Sequence, residues 1–507
     1  MRQLTVFLLL LAVQTNLKAQ EYPERMCPDT AFAPFLHGVA SGDPLTDRLI
    51  IWTKITEENK ETSRVYWEVS LDTSFSKLEN SGSLVANALH DYCVKEDVTG
   101  LKPGTEYFYR FKNAAGKTSP IGQARTLPEG DVRQFKLAVV SCSSIWAGFF
   151  NAYRIIAHRS DIDFVIHLGD YVYDYPDERQ LKRMPAEPVT DCAGLKDWRK
   201  RHSYYLLDPD LREARQNKTW IAVWDNHDTD VEAPGKTEEA IQAFYEYLPI
   251  RMPDASHPEK IYRQFQFGKL ADFNMIDMQL FRGKEMFAEG KKSVLGNEQD
   301  AWLKQKLSNS SATWQLIGNQ EMMTDWLSSK TVYKLTKRGN GKVFDTGNWN
   351  GFPEDRQRLF DLIAEKKLNT VVLTGDVHMS FVMNMTGYPK DKEQYKKRTG
   401  AGALGVEIAG PSVSRVNMKE AGVPGFFIPL VQNISRGLNP HHRWCQFSKH
   451  GYFTVNVEPD KCIAEFWYVP INKVTEEQKF VRGYTVYKDV RHWDKTFNKS
   501  KKHSTYP

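Results

Sequence analysis

Four apolar, strand-like runs in this chain each end in residues that can hold a metal ion, and that coincidence constrains the fold more than any other feature. The first ends Ala138-Val139-Val140-Ser141-Cys142, and the second is Phe164-Val165-Ile166-His167-Leu168-Gly169-Asp170. The third is Ile221-Ala222-Val223-Trp224-Asp225-Asn226-His227-Asp228, and the fourth Val371-Val372-Leu373-Thr374-Gly375-Asp376-Val377-His378. Short apolar runs closed by turn residues are the pattern of buried strands. In open α/β sheets, ligands bind outside the carboxyl ends of such strands. One Gly-Asp after a strand is an ordinary turn. Four ends of this kind argue that Cys, Asp, Asn/His and Asp/His converge on one rim.

The surrounding pattern supplies the rest of an α/β unit over about 132–470. Residues 149–158 and 237–247 have helical spacing, and 353–366 starts with proline at the first turn, where a missing N–H is tolerated. The first and fourth of the four runs are expected as strands at 135–140 and 370–373, and a further strand at 314–317. Before this unit, residues 33–127 read as an all-β, fibronectin type III-like sandwich. Its strand signals are 49–53, 65–69 and 107–111, with Gly100-Leu101-Lys102-Pro103-Gly104 as a turn cluster. Residues 476–507, rich in Lys, Tyr and His, form a C-terminal tail that no periodicity places.

The first 19 residues have the form of a signal peptide: Arg2, an apolar run from Leu4 to Val13, and Ala19 before the cut. The run is too short for a bilayer span, which needs roughly 20 apolar residues. A soluble protein exported to the periplasm or the medium is therefore expected, without a transmembrane segment. Without residues 1–19 the chain is close to charge balance, which gives no support for a nucleic-acid scaffold.

The donor types sort into two groups. Cys142 thiolate, Tyr173 phenolate and His378 imidazole, with Asp170, are a charged and partly soft set that suits a transition metal. The anionic donors favour ferric iron over zinc. Asn226 and Asp376 offer only oxygen, and with Asp170 as a bridge they make a harder site that suits calcium. Cys142 has a plainer reading as an inert buried thiol or half of a disulfide; six cysteines and an exported chain allow either. Asn226 alone would read as a turn residue.

The set Gly169-Asp170-x-x-Tyr173, Asn226-His227-Asp228 and Gly375-Asp376-Val377-His378, in that order, resembles the calcineurin-like metallophosphoesterase signature. More narrowly, the chain is similar to the PhoD family of alkaline phosphatases. The motifs are His37-Gly38-Val39-Ala40-Ser41-Gly42-Asp43-Pro44, Ser141-Cys142, Gly169-Asp170-Tyr171-Val172-Tyr173, Trp224-Asp225-Asn226-His227-Asp228 and Tyr245-Glu246-Tyr247-Leu248-Pro249-Ile250-Arg251. They span about 35–470. The resemblance implies a metallophosphoesterase sandwich of two mixed sheets flanked by helices, after the β-domain. It implies Fe3+ and Ca2+ as cofactors, and a phosphate mono- or diester hydrolysed by metal-activated water without a covalent enzyme intermediate. It sets His227 over the leaving group as a proton donor; a structural His bonded to a nearby carboxylate such as Asp228 is the competing reading, and both can hold together, because the carboxylate would orient the ring and raise its pKa.

Arg282 is expected to clamp phosphate. This chain departs from its relatives at Asn226, where Asp is usual, and at Gln279, where a further arginine is frequent. The segment Asn319-Gln320-Glu321 is a candidate for support of the centre or plain loop. A monomer is expected. Two rivals remain at this level: a phospholipid- or nucleotide-cleaving phosphodiesterase on the same fold, and an exported binding protein that works through its β-module.

Overall fold

The computed structural model of the chain describes residues 26–57, 61–176, 183, 191–229, 237–284 and 292–497. The expected signal peptide lies outside them. Two large sheets face each other. At the heart of the ten-stranded one, Phe135–Val140, Phe164–His167 and Thr219–Ala222 run parallel as neighbours. In the seven-stranded sheet, Ala271–Met275, Trp314–Asn319, Thr370–Thr374 and Gly405–Ala409 form the parallel part. Phe164–His167, Thr219–Ala222 and Thr370–Thr374 are buried on both faces, and so they read as short, largely apolar runs without alternation. Leu137 and Val139 of one sheet share a core with Leu316, Leu373 and Ile408 of the other. At its edge Phe135 stacks on Phe267 with centroids 4.0 Å apart.

Helices cover the outer faces. Asn151–His158 buries Ile155 and Ile156 in the shared core. Pro353–Glu365 and Asn297–Asn309 close a second core with Leu359, Phe360, Leu303 and Leu307 against Ile317 and Val372. The expected β, α and β order is therefore observed, with ends within a few residues of the sequence reading.

The N-terminal region is all-β. A four-stranded sheet of Asn80–Asn87, Thr62–Ser70, Glu106–Asn113 and Gly122–Arg125 alternates in burial along its strands, with one face packed and one open. Its inner residues Val65, Trp67, Tyr107 and Phe111 meet Leu49 and Ile51. The opposing strands Val39–Gly42, Arg48–Lys54 and Cys93–Thr99 are continuous with the ten-stranded sheet, because Ser41 pairs in parallel register with Thr219. Asp43 of the His37–Pro44 motif fixes this junction. Buried Asp43 takes the Arg251 N–H at 2.7 Å and the Arg263 guanidinium at 2.6 and 2.9 Å.

Past Glu476, Lys479–Tyr487 pairs with Lys461–Val469, and Asp494–Phe497 pairs outside it, extending the ten-stranded sheet. Trp493 is buried and donates its indole N–H to Glu407 O at 3.1 Å. The described part of the tail is thus packed structure, hidden from sequence because Lys479–Tyr487 mixes polar and apolar residues on both faces and shows no alternation in burial.

Candidate metal centre

Loops after four strands bring Cys142, Asp170, Asn226 with its neighbours, and Asp376 with His378 to one end of the paired sheets. The turns are sharp. Cys142, Asp170, Asp376 and His378 all have positive φ, between 53° and 61°, a region that L-residues rarely occupy. Such strain concentrates at functional sites, where packing holds it in place. Two glycines make the approach possible. A Cβ on Gly169 would lie 2.4 Å from Asp225 Cβ, and one on Gly375 would meet Leu168 O at 3.0 Å across the two sheets. The loops are then cross-tied: Cys142 N donates to Gly169 O, and Arg415 N to Cys142 O, each at 3.2 Å.

Donor atoms of Cys142, Asp170 and His378 lie within 4.8 Å of one another, and so do those of Asp170, Asp225 and Asp376. Asp170 is common to both groups. Tyr173 completes the first: its hydroxyl donates to Asp170 Oδ2 at 2.9 Å and lies 3.5 Å from His378 Nε2. Cys142 is a fully buried free thiol, 3.3 Å from Ser141 Oγ. Asp225 was not among the expected ligands, although it stands in the quoted Trp224–Asp228 run. It is fully buried, and its Oδ2 has no hydrogen-bond partner among the described residues. Asn226, half-buried beside it, donates its backbone N–H to Asp225 Oδ1 at 2.9 Å.

The electrostatics favour a cation. Burial, then the Asp170 charge, pushes the Cys142 thiol and the Tyr173 phenol well above their usual ranges. Burial also pushes Asp225 and Asp376 well above the carboxylate range; Asp170 and Asp376 add to this for Asp225, and Glu321 and Asp170 for Asp376. Alone, such a cluster can only hold protons. With cations among them the same groups become anionic donors. Burial, then Arg415, keeps His378 neutral, the form in which imidazole ligates. The residues present therefore fit two ions, one against a soft, electron-rich set and one against oxygens alone.

His227 does not pair with Asp228, the nearby carboxylate of the competing reading. Its Nδ1 lies 2.6 Å from Asp174 Oδ1. Asp228 faces the backbone, where it accepts N–H bonds from Tyr171, Val172 and Asp225 at 2.9–3.2 Å. A carboxylate one residue past His227 on a short helical turn is drawn to those inward N–H groups, while the loop after Asp170 brings Asp174 to the ring. Burial pulls the His227 pKa down, but the Asp170 charge and the Asp174 bond outweigh it and raise it. The ring also leans on Tyr173, centroids 4.4 Å apart.

Arg282 pairs with Glu321 and donates to Gly347 O at 2.6 Å and Gln279 Oε1 at 3.0 Å. The Gln279 amide in turn bonds Asp225 Oδ1 and Glu321 Oε1. Its neutral amide thus sits where a second arginine would have offset the acids. Asn319 and Gln320 brace the loops: Asn319 bonds Thr374 Oγ1 and the Trp349 indole, each at 3.1 Å, and Gln320 bonds Trp224 O and Ile276 O. Arg415, which no sequence signal marks, lies over the Tyr173 ring at 4.4 Å.

The sequence pattern of the PhoD-like phosphatase family matches residues 137–466, and that of its N-terminal domain residues 23–128. Alkaline phosphatase D of Bacillus subtilis (strain 168) is 31% identical over 489 residues, 89% of this chain and 79% of that protein. The chain belongs to the PhoD-like phosphatase family. By family it is a phosphoric ester hydrolase. A solved structure of PhoD shares the fold over 94% of each chain, with a TM-score of 0.79 at 27% identity. The mixed sheets flanked by helices after an all-β region are the family's architecture.

Proposed function

We propose that this chain is an exported, metal-dependent phosphatase and phosphodiesterase, with ferric iron at Cys142, Asp170, Tyr173 and His378 and calcium at Asp170, Asn226 and Asp376. The single observation that carries the reading is the convergence of two donor groups on Asp170, each with two buried members and one half-buried. Asp225, with its orphaned oxygen, is added to the oxygen-only group. When bound, the ions would supply Lewis acidity to the phosphoryl oxygens and acidify water.

The chain's own residues do the rest. Asp170 holds the two groups in register. His227, whose pKa the Asp174 bond raises, gives its proton to the departing oxygen from Nε2, since Nδ1 is taken by Asp174. Arg282, fixed by Glu321 and Gly347 O, offers the cation for a phosphoryl oxygen.

A panel of phosphate monoesters and diesters tests this with protein stripped by a chelator and resupplied. The stripped protein should be inactive, and iron with calcium should restore turnover. Full activity with iron retained and calcium removed would contradict the two-metal assignment.

Export rests on residues 1–19. No helix among the described residues is long and apolar enough to cross a membrane. The native protein's first residue by N-terminal sequencing should be near Gln20, and an intact Met1 would contradict export.

A further inference from the structure

The helix Ile428–Leu438 is apolar on two sides. Its inner side sets Ile428 and Val431 into a core with Trp326, Phe381 and Phe447. On its outer side Phe427, Leu430 and Ile434 follow at i, i+3 and i+7, and all three are exposed, Leu430 by 54%. Phe426, 76% exposed, lies beside Phe427 with ring centroids 4.3 Å apart and the planes tilted by 36°. A surface helix ordinarily turns charge to water on that side. Contiguous exposed apolar side chains mark a binding surface.

A second element carries the charge. The helix Lys330–Thr336 exposes Leu335 by 80% and Tyr333 by 40%. Between 326 and 344 the chain has five exposed cations, Lys330, Lys334, Lys337, Arg338 and Lys342, and no acid. The two elements are joined. Leu327 N donates to Asn439 Oδ1 at 2.7 Å at the end of the first helix, and Phe344 packs on the core that Ile428 enters. Both border the metal centre: Val377 and Met379, on either side of His378, pack on that core, and Gly347 O holds Arg282.

We propose that this face docks the protein onto an anionic lipid surface. Phe426, Phe427 and Leu430 would enter the acyl boundary, while the cations of 330–342 meet acidic headgroups. Exposed aromatic and aliphatic side chains beside lysines are the signature of interfacial binding. An anionic polymer in water would use the lysines but leave the phenylalanines without a role. A second copy of this chain would bring five like charges to the same face.

The test is co-sedimentation of the full protein with vesicles of phosphatidylglycerol and phosphatidylcholine in equal parts, and of phosphatidylcholine alone. It reads binding without turnover, so its failure is separate from failure of the metal assignment. The protein should sediment with the anionic vesicles, less so at high salt. Phe426→Ser with Leu430→Ser should cut partitioning about tenfold or more, as should Leu335→Ser on the other element. Lys334→Glu with Lys337→Glu should abolish the preference for anionic vesicles. All should melt like the wild type and hydrolyse a soluble ester at its rate. The proposal falls if the apolar variants bind vesicles like wild type, or if wild type binds neither vesicle. It falls equally if soluble polyphosphate competes as well against Phe426→Ser as against wild type, or if a wild-type dimer becomes monomeric on Phe426→Ser with Leu430→Ser.

Discussion

His227→Ala is expected to keep its fold and metals and to lose about 100-fold or more in kcat, the usual scale for a general acid. The ring makes one strong polar contact, to Asp174, and otherwise lies against Tyr173 and Tyr175. Its removal leaves the two donor groups intact. The loss should shrink for esters with good leaving groups, which depart without a proton. Asp174→Asn gives the companion result. Cations at the proposed centre would offset the Asp170 charge and leave Asp174 as the main group raising the His227 pKa. A raised pKa keeps the acid protonated to higher pH. Asp174→Asn should therefore move the basic limb of the kcat profile to lower pH, with a smaller loss of about tenfold at its optimum. Equal losses of His227→Ala on good and poor leaving groups, and an unmoved limb in Asp174→Asn, would assign the pair a structural role.

Tyr173→Phe and Cys142→Ser are expected to lower iron content and turnover together, by at least about 100-fold in activity. Loss of a supporting contact to a ligand already costs 10- to 100-fold, roughly, in affinity or rate. Tyr173→Phe removes one oxygen and leaves the ring to pack against His227 and beneath Arg415. Cys142→Ser keeps a small polar side chain at a strained turn but removes the soft anion. Melting curves near the wild type with reduced iron would separate metal loss from misfolding. Wild-type iron content in both variants would remove Cys142 and Tyr173 from the centre.

Much of the scaffold is legible in sequence because a buried parallel strand is an unbroken apolar run. The runs before Cys142, Asp170 and Asp376 could be found for that reason, and proline marked the helix at 353. The relation between modules is less legible. Val39–Gly42 is only four residues long, and nothing local says that it pairs with Thr219–Ala222 across the chain. The site divides in the same way. Cys142, Asp170, Tyr173 and His378 follow strands in a recognisable order. Asp225 was hidden by its neighbours, since three adjacent polar residues on a tight turn cannot be sorted without the backbone. The carboxylate that meets His227 is Asp174 and not the nearer Asp228, because sequence distance does not report which way a carboxylate faces. Arg415 enters through a loop that pairs with Cys142 O, a contact with no local signature.

The central claim is that two different ions share Asp170. Elemental analysis of the wild-type protein, grown with ample iron and calcium, joined to its visible spectrum, tests it most directly. Ferric iron held by phenolate and thiolate should absorb visible light by charge transfer, whereas calcium and zinc leave a protein colourless. The account predicts iron and calcium both bound in stoichiometric amounts, and a visible band that changes in Tyr173→Phe and Cys142→Ser. A fully active, colourless protein with stoichiometric zinc and no iron would contradict it.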